Sequence, residues 1–338
     1  MMSSPERILS YSLAINEAIC QMMATDSTVM LLGQGVKSPW YVGNTALGLL
    51  ERFGPERVID TPVSECASTG AAVGAALAGM RAIVIHPRMD FMLYAFDPII
   101  NEAANWFYMS GGTVRVPVVI WGVVNRGGEQ AAQHSQALHS MFAHVPGLKV
   151  VAPSNPYDAK GLMVAAIRDD NPVVFMDERW LYGVTAPVPE ELYEVPIGLA
   201  RLARLGSDVT IVAFSYLLPE AMCAAELLDG EGVSCEVIDL RTLKPFDRAA
   251  VLQSCEKTGR LVVCDTGWRT GGIGGEIVAS MVESGVWLKS PPQRVALPDC
   301  PAPASRTLEK AYYPRAEQIM QAVRQAVQRS WRKPEASC

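Results

Sequence analysis

The chain has 338 residues and a formal net charge of −6, with 49% hydrophobic and 19% charged residues. That length can hold two domains with sizeable cores, and the acidic balance leaves no basic footprint for nucleic acid. No apolar run approaches the roughly 18 residues of a membrane span. The stretch from Met1 to Arg7 leads into an amphipathic pattern carrying Asn16 and Glu17 rather than a secretory core, so the expected location is cytoplasmic.

Apolar runs predict strands over residues 29–32, 58–60, 82–85, 116–121, 149–152 and 173–176. Helical patterns at 9–24, 67–78, 91–109, 136–142 and 157–168 fill the gaps. This alternation predicts an α/β fold with a parallel sheet covered by helices on both faces. The run Val116-Pro117-Val118-Val119-Ile120 is apolar without alternation, as a doubly covered strand requires. A first domain is therefore expected over residues 1–185. A proline- and acid-rich stretch then predicts a linker over 186–205. A second, smaller α/β domain is expected over 206–338. Its strands fall at 209–214, 234–239, 261–264 and 294–297, and its helices at 217–228, 249–257, 276–283 and 315–329.

Three stretches could carry chemistry. The first is Asp60-Thr61-Pro62-Val63-Ser64-Glu65, between a short apolar run and a helix rich in alanine and glycine. Ser64 suits an N-cap, and Glu65 in the first turn suits the helix dipole. A carboxylate there can equally bond a ring nitrogen of a cofactor. The small residues that follow permit either tight helix packing or close approach of a flat ligand. The second stretch is Gln133-His134-Ser135-Gln136, after a glycine-bearing loop that follows a buried strand. Ligands gather at the carboxyl ends of parallel strands, so His134 stands either where a proton donor is useful or as a hydrogen-bonded structural histidine. The third, Thr270-Gly271-Gly272-Ile273-Gly274-Gly275-Glu276, imitates a dinucleotide loop, but its spacing is wrong and a tight turn is the better reading. The eight cysteines form no C-x-x-C pair and read as reduced, buried hydrophobes. A nucleophilic Cys66 would need a base that the sequence does not show. No Walker A loop, H-E-x-x-H motif or Gly-Asp-Gly followed by paired asparagines occurs.

Taken together, several segments resemble the β subunit of the thiamine-dependent E1 component of 2-oxoacid dehydrogenases of the pyruvate, branched-chain and acetoin type. They are Asp60 to Glu65, Tyr108-Met109-Ser110-Gly111-Gly112, Gln133 to Gln136, Pro146 to Val151, Asp158 to Leu162, Asn171 to Phe175, and Val237 to Pro245. The resemblance implies a transketolase-like pyrimidine-binding domain followed by a transketolase C-terminal α/β domain. It also implies an α2β2 heterotetramer. The α subunit would hold the diphosphate of thiamine diphosphate through Mg2+, and the β chain the pyrimidine.

By position, Glu65 would bond N1′ of the aminopyrimidine and favour the tautomer that deprotonates thiazolium C2. Phe91 would pack on the pyrimidine, with Gln34 beside it. His134 would stand where the lipoyl group of an E2 protein enters to accept the acyl unit. Some relatives bind structural K+ through main-chain oxygens; the matching positions are Val118, Ala166, Asp169 and Asn171.

Departures accompany the match. Gln34 and Tyr94 occupy positions where some members carry acids thought to relay protons between active sites, and neither can do so. The segment His86-Pro87-Arg88-Met89-Asp90 and the loop 123–130 differ from pyruvate-type chains. Two alternatives share the fold: the C-terminal half of a split transketolase or related thiamine-dependent acyl transferase, and a non-catalytic scaffold subunit.

Overall fold

The computed structural model describes residues 7–38 and 41–329. Most of the N-terminal stretch and Cys338 therefore lie outside the described residues. The chain divides into two compact units. The first takes residues 1–198 together with the returning segments Arg241–Pro245 and Ala302–Glu309.

In chain order this unit contains β1 (Ile8–Ser10), α1 (Tyr11–Thr25), β2 (Val29–Gly33), α2 (Leu49–Phe53), β3 (Val58–Asp60), α3 (Glu65–Leu77) and β4 (Arg81–His86). A 3-10 segment (Met89–Ala95) and a π segment (Asp97–Ala103) lead into α4 (Ala104–Met109). Then come β5 (Val118–Val124), α5 (His139–His144), β6 (Lys149–Val151), α6 (Pro156–Arg168), β7 (Val173–Glu178) and β8 (Thr185–Pro187). The second unit contributes β9 (Arg201–Arg204), β10 (Val209–Ala213), α7 (Leu217–Asp229) and β11 (Cys235–Asp239). The chain returns to the first unit for β12 (Thr242–Lys244), then resumes with α8 (Arg248–Thr258), β13 (Leu261–Trp268), α9 (Ile273–Glu283) and β14 (Gln293–Leu297). The last elements are α10 (Arg306–Tyr312) and α11 (Ala316–Gln328).

The sheet of the first unit has the order β12-β6-β7-β5-β4-β2-β3. Every pairing is parallel except that of the edge strand β12 with β6. All seven residues of β5 and all six of β7 are buried, which explains their unbroken apolar or hydrogen-bonded character. The order reverses between β2 and β4. After β2 the chain steps outward to β3, then returns to the other side of β2, and such a switch point opens a crevice at the carboxyl ends of the strands.

The predicted helix over 91–109 is instead three successive segments of different pitch. Pro98 at the start of the π segment lacks the N–H that a continuous α-helix needs there. Gly122 in β5 makes room for the 3-10 turn: a Cβ at that position would lie 2.4 Å from Met92 Sδ.

The expected linker also carries structure. β8 pairs with β1, and the buried Lys160 Nζ donates to Glu17 Oε1 (2.6 Å) and to the carbonyls of Pro189 (2.6 Å), Glu190 (3.1 Å) and Glu191 (2.9 Å). Residues 201–204, also in that stretch, form β9 of the second unit's sheet.

That sheet has the order β14-β13-β10-β11-β9 and is parallel except at β9. Its glycine loop is a tight turn onto α9. Asp265 Oδ2 accepts from Gly274 N (3.0 Å) and Oδ1 from Gly267 N (2.9 Å), so a carboxylate of the chain itself occupies the helix start.

The described cysteines are free, but the expectation of burial holds for only three of them. Cys66, Cys223 and Cys300 are exposed, and Cys20 is partly so. Burial pushes the Cys235 and Cys255 thiols up to about 12. No described helix is long and apolar enough to cross a membrane.

Candidate active site

The turns after β2, β3, β4 and β5 meet at the carboxyl edge of the first sheet around a cleft of about 390 Å³. Four residues singled out in the sequence, Gln34, Glu65, Phe91 and His134, line it together with Tyr94. They come from four separate turns, so the switch point alone brings them together.

The turn after β2 is built on glycine. Gly35 has φ +78°, and a Cβ there would lie 2.0 Å from the Tyr41 ring. That close approach sets the Tyr41 hydroxyl 2.9 Å from Gln34 Nε2, which donates to it. Asp60, at the end of β3, accepts from the Gly35 amide at 2.8 Å and joins the two turns. Glu65 opens α3 as its first helical residue and is half-buried. Ser64 occupies the N-cap position, but its side chain makes no capping bond, so the expected cap is absent and Glu65 is the acid of the first turn.

Phe91 lies in the 3-10 turn after β4. Its ring meets the His134 ring edge to face, with centroids 5.3 Å apart and planes at 87°. Tyr94, one turn on, is 69% exposed and 6.5 Å from Phe91 between centroids.

His134 sits on a loop with four residues at positive φ: Gly127, Gly128, Glu129 and Ala131. Two of these are not glycine, so the loop is held by contacts rather than by easy backbone geometry. Ser135 Oγ donates to the Ala131 carbonyl (2.5 Å), and Asn125 Nδ2 donates to Gln130 Oε1 (2.7 Å). Arg306 Nε donates to Glu129 Oε1 (2.9 Å).

Asp90 is the main anchor. Its buried Oδ1 accepts from both the backbone amide (3.1 Å) and Nε2 (2.8 Å) of Gln136, two residues beyond His134. Burial raises the Asp90 pKa, and the bonds from Gln136 oppose that rise. At the end of β4, four residues before Asp90, His86 is fully buried with Nε2 3.1 Å from Thr69 Oγ1, and burial drops its pKa to about 4. It is a neutral bridge between β4 and α3.

The sequence marked Arg88 and Asp90 only as part of the segment that departs from pyruvate-type chains, expected near the substrate or lipoyl channel, and did not single out Tyr41; all three belong to this site. Asp90 stands one residue before Phe91 in the 3-10 turn after β4, and that adjacency was the further signal it offered. Val118, Ala166, Asp169 and Asn171 lie elsewhere, where β5 begins and α6 ends. There Arg81 Nη1 donates to the carbonyls of Ile167 (3.1 Å), Arg168 (3.2 Å) and Asp169 (3.1 Å). The Asp169 side chain pairs with Lys149, while buried Asn171 Oδ1 has no hydrogen-bond partner.

The transketolase pyrimidine-binding domain family matches residues 8–185, and the transketolase C-terminal domain family matches residues 198–319. The pyruvate dehydrogenase E1 component subunit beta of Rickettsia felis is 44% identical over 312 residues, 92% of this chain and 96% of the relative. The acetoin:2,6-dichlorophenolindophenol oxidoreductase subunit beta of Cupriavidus necator is 45% identical over 332 residues, 95% and 98% respectively. This chain belongs to the E1 β-subunit family of thiamine-dependent 2-oxoacid dehydrogenases. The fold of this E1 β chain is shared more widely. A split-gene transketolase, solved as an inactive β4 tetramer, superposes with a TM-score of 0.79 at 21% identity, covering 95% of this chain and 98% of that one. That likeness concerns the fold alone. The relatives favour neither the split-transketolase nor the scaffold alternative.

Proposed function

We propose that this chain is the β half of an E1 that decarboxylates a 2-oxoacid, working with an α subunit in an α2β2 assembly. The observation that carries the reading is the convergence of Glu65, Phe91 and His134 on one cleft at the switch point of the sheet. A half-buried carboxylate beside an aromatic ring fits the pyrimidine end of thiamine diphosphate. When bound, thiamine diphosphate supplies a nucleophilic carbon and a sink for the electrons released with carbon dioxide.

Glu65 would hold the pyrimidine ring by a hydrogen bond and so fix which of its nitrogens carries a proton. Phe91 offers its ring as a packing surface, with the His134 ring against it. Gln34, anchored to Tyr41, closes the cleft on the β2 side. His134 presents a ring nitrogen at the cleft as proton donor toward the acyl acceptor, for which a lipoyl-bearing E2 is the proposed partner. The α subunit is assigned the diphosphate and its Mg2+. Among the described residues of this chain, no group of three His, Cys, Asp or Glu side chains could hold a metal ion. For K+, main-chain oxygens of Val118, Ala166, Asp169 and Asn171 are the proposed ligands; Arg81 already donates to the Asp169 carbonyl, and the unpartnered Asn171 Oδ1 adds a further hard oxygen in that stretch.

The test uses the purified α–β pair with Glu65→Gln. Turnover of 2-oxoacid should fall at least about 100-fold, the usual effect of losing an acid–base group, while thermal unfolding stays close to wild type. Full activity in that variant would refute the mechanism.

A further inference from the structure

The cleft contains a charged group that the proposed chemistry leaves idle. Arg88 follows β4 by two residues, in the segment where the sequence departs from pyruvate-type chains, and lines the same cleft as Glu65, Phe91 and His134. Its backbone is extended (φ −137°, ψ 122°) just before the 3-10 turn, which projects the residue at the mouth of the switch point.

The side chain is half-buried, and its Nε is shut off from solvent with no hydrogen-bond partner. Nη1 donates to the Pro87 carbonyl at 2.7 Å, and the guanidinium carbon stands 5.9 Å from the Tyr41 ring centroid. Among the described residues no carboxylate forms an ion pair with it. Asp90 acts on Arg88 only at a distance, with Oδ1 committed to Gln136 and Oδ2 unbonded, and Glu65 shares the cleft without pairing. Arg179, just after β7, adds a second positive charge nearby while its own Nη1 holds Asn125 Oδ1 at 3.0 Å. Burial and that neighbour pull the Arg88 pKa below its ordinary value, against Tyr41, Asp90 and Tyr182, which raise it.

A partly desolvated guanidinium with another cation in its surroundings and no ion-pair partner is costly until an anion binds it directly. Its planar fork matches a carboxylate, and the unused Nε–H is one prong of that fork. A 2-oxoacid can offer its reacting carboxylate or, in some acids, a second one. Gripping the reacting carboxylate would stabilise the charge that must leave as carbon dioxide, and would deepen the ground state rather than the transition state. A carboxylate at the far end of the acyl chain keeps its charge throughout, so binding it orients the substrate without opposing the chemistry.

We propose that Arg88 binds a second, distal carboxylate of the substrate, making this E1 β chain selective for 2-oxodicarboxylic acids over 2-oxoacids with uncharged side chains. The inference rests on the decarboxylating function proposed above.

The experiment measures kcat/KM of the α–β pair for 2-oxoglutarate and for 2-oxopentanoate, which has the same chain length without the second charge. The wild-type ratio should favour 2-oxoglutarate by at least about tenfold, and Arg88→Met should lower that ratio by about 100-fold, the effect of deleting one partner of a desolvated charge pair. Arg88→Lys, which keeps the charge but loses the fork, should recover part of the ratio. Thiamine diphosphate binding, followed by calorimetry, should not change in either variant. A wild-type preference for 2-oxopentanoate, an equal loss on both acids in Arg88→Met, or weakened cofactor binding would each overturn the proposal. Turnover of 2-oxopentanoate alone removes this inference and leaves the function standing. No thiamine-dependent turnover of either acid removes both.

Discussion

Asp177 allows a prediction whose sign and size both follow from the structure. It lies in β7, fully buried, with Oδ2 accepting from Trp121 Nε1 (3.1 Å) and the Tyr182 hydroxyl (2.6 Å). Its Oδ1 has no partner. Burial pushes the pKa up to about 7, against the pull of those two donors and of Arg179. The folded chain therefore holds this proton more tightly than the unfolded chain, whose aspartates titrate near 3.8. Stability from this group is complete below the unfolded pKa and is lost as the pH rises through the folded one. The gap of about three units, at roughly 1.4 kcal/mol each, sets a loss of about 4 kcal/mol.

Asp177→Asn can keep both bonds through its amide oxygen and removes the ionisation. Urea unfolding should be run at one protein concentration across about pH 4 to 8. The variant should match wild type at the acid end and gain on it steadily, to about 4 kcal/mol at the alkaline end. A difference that stays flat across this range, or shrinks as the pH rises, would show that Asp177 is ionised in the folded chain and that this reasoning fails.

His86 should give the opposite slope: burial holds it near pKa 4, so the stability it contributes at neutral pH is lost as the pH falls from about 6.5 through 4. His86→Gln should flatten acid unfolding, followed by circular dichroism, by about 3 kcal/mol over that window. Asp90→Ala frees both donors of Gln136 and should loosen the loop bearing His134. Turnover should drop about tenfold or more, and limited proteolysis should cut within 125–135 where wild type resists. Gly147→Ala places a Cβ 2.0 Å from the Ala104 carbonyl oxygen at φ +89°, and should cost about 3 kcal/mol or more by calorimetry. Gly232→Ala, at φ +77° with nothing within 4 Å, should cost only about 1–2 kcal/mol.

The central strands of both sheets were legible because a doubly buried strand must be apolar nearly throughout, and 82–85, 173–176, 209–214 and 261–264 fall on β4, β7, β10 and β13. The short strands β9 and β12 were not. Arg201-Leu202-Ala203-Arg204 and Thr242-Leu243-Lys244 have no period to read, and their pairing is set by the strand each one meets. The break at Pro98 was visible as a proline, but the 3-10 turn that precedes it depends on Met89 and Met92 packing over Gly122. In the site, Glu65 and His134 stood out as residues on the segments that follow strands, but the residues alone left a structural role open for each, and only the resemblance gave them a target. Tyr41 and Arg88 did not stand out in this way, because their place depends on β2 and β4 lying side by side, which is a property of topology.

The return of the chain at 241–245 limits how this polypeptide can be dissected. A fragment ending at residue 198 would lose β12, the Ala152 N to Arg241 carbonyl bond (2.7 Å) and the Arg241–Asp158 ion pair (2.9 Å). β6 would then become a bare outer strand, with Lys149-Val150-Val151 offering unpaired amides and carbonyls to any neighbour. Such a fragment should aggregate through that edge. A soluble catalytic half would need the excised pentapeptide Arg241-Thr242-Leu243-Lys244-Pro245 restored, either tethered through a new loop or added in trans as a peptide.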